Sequence, residues 1–212
     1  MAFGHLLMVF IEVLISNTVS VCKAENAITV QTGSSVQLEI QIDLPTNFNM
    51  LVWMNDNSEN IVTFFKATVK TKTYNYSLDF NQSTFSLTLK NMQKRDSGLY
   101  TAKIFGANNI DVAKHRVSVI DPVDSPVLNW NVTMIAVNAC IVNLSCSGHD
   151  RTISDSYHSN NCSQKKMTSE MQTLSLYCKE DTVICNYSNP VSWKNDTIQI
   201  KQLCNVTPYP RK

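Results

Sequence analysis

Apolar residues recur at alternate positions along most of this chain, which is the period of a strand with one face buried. In SSVQLEIQI, residues 34–42, Val36, Leu38, Ile40 and Ile42 alternate with polar neighbours. MLVWM (50–54) centres on Trp53, and IVTFF (61–65), YSLDF (76–80) and TFSLTL (84–89) follow, the last with Phe85, Leu87 and Leu89 on one face. LYTAKIF (99–105) and HRVSVI (115–120) close the series, with no sustained helical period before residue 120. After DPVDSPV (121–127), whose two prolines favour a stiff, extended connector, alternation resumes. CIVNLSC puts Cys140, Val142, Leu144 and Cys146 on one face, TLSLYC puts Leu174, Leu176 and Cys178 together, TVIC turns Cys185 inward, and IQIKQLC aligns Ile198, Ile200 and Cys204. Short strands with polar turns predict an all-β chain of packed sheets.

One stretch of the first half is more specific. KRDSGLYTAKI, residues 94–104, carries Asp96, Gly98 and Tyr100 at alternate positions. This is the spacing of the tyrosine corner of an immunoglobulin-like sandwich, in which the hydroxyl ties back to nearby backbone. Antibody-type domains place an inter-sheet cysteine two residues later, where this chain has Ala102; alternation puts the other end of that bridge at Ile40. Both positions read as core, beside Trp53. A native disulfide is worth roughly 2–5 kcal/mol in a small secreted domain, and burying an isoleucine contributes about 1.5–3 kcal/mol. Aliphatic packing therefore offsets much of the missing bond.

The second half has the opposite habit. Of seven cysteines, Cys22 lies near the amino terminus, none falls between Glu25 and Asn138, and six lie from Cys140 to Cys204. An even number in an exported half predicts disulfides. Cys140 and Cys146 sit ~20 Å apart along one strand and need separate partners. Sandwich topology favours Cys146 with Cys185 and Cys140 with Cys204, leaving Cys162 with Cys178, among the many pairings that six cysteines allow. No C-x-x-C pair or histidine spacing suggests a metal.

Composition narrows the class. The net charge is +1, which gives no electrostatic case for nucleic acid or an anionic membrane surface. LLMVFIEVLI (6–15) is too short to span a bilayer and, with Cys22-Lys23-Ala24 after it, reads as a signal peptide over 1–24. No later segment reads as a transmembrane helix. Asn-x-Ser/Thr acceptors at Asn75, Asn81, Asn131, Asn143, Asn161, Asn186, Asn195 and Asn205 support export and glycosylation. Catalytic signatures (G-x-S-x-G, H-E-x-x-H, a phosphate-cradling glycine loop) do not occur, and Asp96 with Tyr100 reads as a structural corner rather than an acid–base pair, so neither an enzyme nor a cofactor is expected.

A cysteine-free first half with DSGLY, followed by a second half with CIVNLSC, VIC and a final LC, resembles the signalling lymphocytic activation molecule (SLAM) family of leukocyte receptors, particularly its tailless, lipid-anchored type. The resemblance implies two tandem immunoglobulin-like sandwiches. These are a variable-type domain without an inter-sheet disulfide (25–120) and, after a linker (121–127), a C2-type domain with extra disulfides (128–206) and a short tail (207–212). It implies adhesion or costimulation through the first domain, with an immunoglobulin-like domain of the same or a related receptor as partner. A third bridge and the lack of an anchor or cytoplasmic tyrosine motif depart from the family pattern. The second expectation is accordingly a secreted decoy or soluble ligand for the same class of receptor. Alternation then names the binding surface: Val52 and Met54 from the Trp53 strand and Thr101, Lys103 and Phe105 from the corner strand; beside them lie Phe64 or Phe65, with Phe64 taken as the contact, Lys66 and Asn108.

Overall fold

The computed structural model describes residues 25–74, 77–136, 139–157, 163–200 and 203. The expected signal peptide and tail, Asn75, Asn161, Cys162, Cys204 and Asn205 lie outside the described residues. The first half forms nine strands: β1 (Asn26–Gln31), β2 (Val36–Leu38), β3 (Phe48–Met54), β4 (Asn60–Phe65), β5 (Lys70–Thr73), β6 (Leu78–Phe80), β7 (Leu87–Leu89), β8 (Gly98–Gly106) and β9 (Ile110–Ile120). They build a six-stranded sheet, ordered β1-β9-β8-β3-β4-β5, and a three-stranded sheet, β2-β7-β6. β1 runs parallel to β9, from Asn26 opposite His115 to Gln31 opposite Ile120; the other pairings are antiparallel.

Between the sheets lies one apolar core, with Leu38, Leu51, Trp53, Leu87 and Ile104 almost wholly buried. A buried indole needs an acceptor for its N–H, and Trp53 Nε1 donates to Phe85 O at 3.0 Å. The indole stacks on buried His115 at 6.0 Å. His115 is fixed in turn, Nε2 donating to Glu39 O at 2.8 Å and Nδ1 accepting from Asn26 Nδ2 at 3.4 Å. The corner is present. A single 3-10 turn spans Lys94–Asp96, and the Tyr100 hydroxyl donates to Asp96 O at 2.6 Å. Asp96 Oδ2 accepts from Gln93 N at 2.8 Å, closing the turn from its other side.

Ala102 is fully buried and sits opposite Trp53 in the register. Ile40 differs from the sequence reading. The strand expected over 34–42 ends at Leu38, after which the chain leaves β7 for β9: Gln41 N donates to Val112 O at 3.0 Å. Ile40 therefore packs against the core from outside the strand and is only half-buried, while Val36 and Leu38, opposite Leu89 and Leu87, carry the strand's contacts. Phe85 also lies outside a strand. Its φ of 59° swings the ring into a cluster with Phe48, Phe64 and Phe80.

The second half forms β10 (Val127–Ala136), β11 (Ala139–Gly148), β12 (Arg151–Tyr157), β13 (Lys165–Thr168), β14 (Thr173–Lys179), β15 (Thr182–Asn189) and β16 (Ser192–Gln199), in sheets β10-β11-β12 and β13-β14-β15-β16. Their core includes Val142, Leu144, Leu174, Leu176 and Val183. Cys146 on β11 is bonded to Cys185 on β15, joining the two sheets with Cα atoms 5.4 Å apart. Cys140 and Cys178 are also disulfide-bonded; their expected partners, Cys204 and Cys162, are outside the described residues. The connector is fastened to this second sandwich. Val123 is buried in its core, Val123 N donates to Ser192 Oγ at 2.7 Å, and Asn189 Nδ2 donates to Asp121 O at 2.8 Å. The chain is thus all-β, in tandem immunoglobulin-like sandwiches.

Candidate recognition face

Side chains of a strand alternate between faces. With Tyr100, Ala102 and Ile104 in the core, β8 turns Leu99, Thr101, Lys103 and Phe105 to the outer face of the six-stranded sheet. The register sets Thr101 opposite Met54, Lys103 opposite Val52 and Phe105 opposite Met50 on β3. Val52 and Met50 in turn face Thr63 and Phe65 on β4, which face Lys72 and Lys70 on β5. On the other flank Thr101 meets Lys114 and Lys103 meets Asp111 on β9. The result is an apolar strip of Met50, Met54, Phe65 and Phe105 bordered by lysines on both sides.

Asp111 organises one border. Its Oδ1 lies 3.2 Å from Lys103 Nζ and its Oδ2 2.9 Å from Lys114 Nζ. Partial burial alone pushes this carboxyl up, but hydrogen bonds and charge from Lys114 and Lys103 outweigh it and hold the group below the usual carboxylate range. Further along the sheet Arg116 is paired with Glu25. Lys70 and Lys72, by contrast, are exposed on β5, and Lys72 Nζ rests 4.7 Å from the Tyr74 ring centroid.

Four expected residues, Met54, Thr101, Lys103 and Phe105, lie together on this face, each half-buried. Val52 points the same way but is 2% exposed, because Lys103 and Thr63 flank it on the neighbouring central strands. Phe64 is corrected. It stands opposite core residue Leu51, is 4% exposed and packs edge-on against Phe85 at 5.3 Å. Phe65, 41% exposed, takes the outward place. Lys66 lies at the sheet's end, its ammonium donating to Thr46 O and sitting 4.5 Å from the Phe48 centroid. Asn108 is exposed in the β8–β9 hairpin. The sequence reading missed Met50, Lys70, Lys72, Asp111 and Lys114. Met50, Lys70 and Lys72 were legible by alternation; Asp111 and Lys114 share a face only because a bulge interrupts the β8–β9 register after Ala102.

No acceptor asparagine lies on β3, β4, β5, β8 or β9. Asn81 follows β6 in the opposite sheet, where its Oδ1 accepts from Ser83 N at 2.8 Å and Thr84 N at 3.2 Å. Asn131, Asn143, Asn186 and Asn195 are all on the second sandwich. Among the described residues no group of His, Cys, Asp or Glu could hold a metal, and no helix is long and apolar enough to cross a membrane.

Residues 23–120 match the immunoglobulin V-set domain. Human CD48 antigen is 24% identical over 187 residues, covering 84% of this chain and 76% of CD48. The rat natural killer cell receptor 2B4 is 28% identical over 133 residues, 61% of this chain but 43% of the receptor. The crystal structure of murine CEACAM1b shares the fold, with a TM-score of 0.54 at 22% identity over 81% of this chain and 94% of that one. CD48 and 2B4 are immunoglobulin-superfamily immune receptors of the cell surface. With its V-set first domain and relatives among the SLAM family, the chain is similar to that family of immunoglobulin-superfamily receptors.

Proposed function

We propose that this chain mediates leukocyte adhesion and costimulation by docking the outer face of β9-β8-β3-β4-β5 onto an immunoglobulin-like domain of a related receptor. The observation that carries the reading is the face itself, an apolar strip bordered by charge on a sheet whose six strands hold no glycan acceptor. Such a patch suits a modest protein interface with an apolar centre and polar rim.

The charge favours a different receptor over a second copy. Lys70, Lys72, Lys103 and Lys114 share the face with Asp111 as their acidic counterweight. Two such faces brought together oppose lysine to lysine, and like charges across an interface cost affinity. The partner is therefore an immunoglobulin-like domain with an acidic docking face. Binding of the purified chain to a panel of SLAM-family ectodomains, and to itself, tests this. A cognate receptor should bind, and Lys72→Glu with Lys103→Glu should weaken binding at least tenfold. Unchanged binding by that double variant, or self-association stronger than any heterotypic binding, defeats the reading.

A further inference from the structure

The outer face of β15 and β16, on the second sandwich, carries an arrangement that recognition does not use. Trp193 on β16 is 67% exposed, the most exposed of the large apolar residues described. Two residues on, and so on the same face, is Asn195 of the acceptor Asn195-Asp196-Thr197. Its direct cross-strand partner is Asn186 of the acceptor Asn186-Tyr187-Ser188, while Ser188 stands opposite Trp193. The intervening Asp196 turns the other way, Oδ2 accepting from Leu128 N at 2.9 Å, which holds Asn195 outward.

We propose that Trp193 is the platform for the innermost sugar of an N-linked glycan on Asn195, so that this glycan packs as part of the sheet. Strand geometry places positions two apart ~7 Å from each other, the width of one pyranose ring. The axial C–H bonds of a β-linked N-acetylglucosamine form an apolar face that covers an indole, whose π surface is electron-rich. That contact removes from water the one large apolar side chain this face exposes beside an acceptor. Asn186 lies diagonally from Trp193 and directly beside Asn195, so a glycan there extends the same sheath. The opposite sheet supplies a control. Asn131 and Asn143 form a second directly opposed acceptor pair, but their same-face neighbours two residues away are Asn129, Thr133, Ile141 and Ser145, none aromatic. Trp130 is on the other face of that sheet, opposite Leu144.

The test is a thermal double-mutant cycle on the full chain secreted from mammalian cells, with peptide mapping of occupancy. Asn195 should carry glycan. Asn195→Gln should lower the unfolding midpoint by about 2–4 °C, and the same change in a Trp193→Ala background should have little effect. Trp193→Phe should restore the coupling, and Asn143→Gln should be additive with Trp193→Ala. Trimming to a single N-acetylglucosamine should keep most of the effect, since only the first sugar reaches the ring. An unoccupied Asn195, or an additive Trp193–Asn195 cycle, overturns the proposal; Trp193 is exposed, so its variants keep the fold intact.

Discussion

Tyr100 and Asp111 show two ways in which one polar group holds this fold. The Tyr100 hydroxyl and Asp96 carbonyl are partly buried and bonded at 2.6 Å. Tyr100→Phe leaves that carbonyl without its donor, and urea denaturation should show a loss of about 1–3 kcal/mol with the strands intact. Asp111 acts through charge. Its carboxyl is held below the ordinary range by Lys114 and Lys103 against the opposing pull of burial. A depressed folded value contributes stability that is present above the unfolded value, about 4, and lost as pH falls through the folded one. The wild type should thus exceed Asp111→Asn at neutral pH, and the two melting curves should converge as pH drops below about 4. The corner was legible because Asp96, Gly98 and Tyr100 have a fixed local spacing. Ile40 was not, because where β2 stops depends on Gln41 reaching Val112, 71 positions away in sequence.

At the scale of elements, the β3–β4 pairing decides what the face displays. Phe64 and Phe65 are adjacent and both apolar, so alternation alone assigns neither to the core. The register does, since Leu51 is inward and stands opposite Phe64. An irregularity between Trp53 and Met54 adds a residue to β4, which simple counting from Trp53 cannot anticipate. Phe64→Ala should accordingly behave as a core truncation, costing about 3–5 kcal/mol by calorimetry or denaturation. Phe65→Ala should leave stability nearly unchanged and reduce partner binding. The reverse pattern means that β4 is shifted by one residue. The far end of the same face depends on Gly106. A Cβ there would lie 2.9 Å from Asn47 O and 3.1 Å from Phe48 Cα, both backbone atoms that cannot swing aside. Gly106→Ala should therefore destabilise by about 1–3 kcal/mol.

For the whole molecule, the cysteine pattern and the acceptor pattern divide the labour between the sandwiches. The first closes on aliphatic and aromatic contacts around Trp53, and the strands of its large sheet hold neither cysteine nor glycan acceptor. The second is cross-linked from Cys146 to Cys185 and bears acceptors on the outer faces of both its sheets, at Asn131 and Asn143 on one and Asn186 and Asn195 on the other. The proposed docking face is the one bearing Lys70, Lys72, Lys103 and Lys114, and its electrostatics set a measurable property. Charges at an exposed rim act mainly on the rate of encounter and are screened within about 8 Å at physiological ionic strength. Raising sodium chloride from 50 to 500 mM should slow association with an acidic-faced receptor several-fold while changing dissociation less. Asp111→Asn should quicken association, because it releases Lys103 and Lys114 from their ion pairs without disturbing Met50, Met54 or Phe105. If both the salt series and Asp111→Asn leave the association rate unmoved in surface plasmon resonance, the lysines are bystanders, and the apolar strip alone selects the partner.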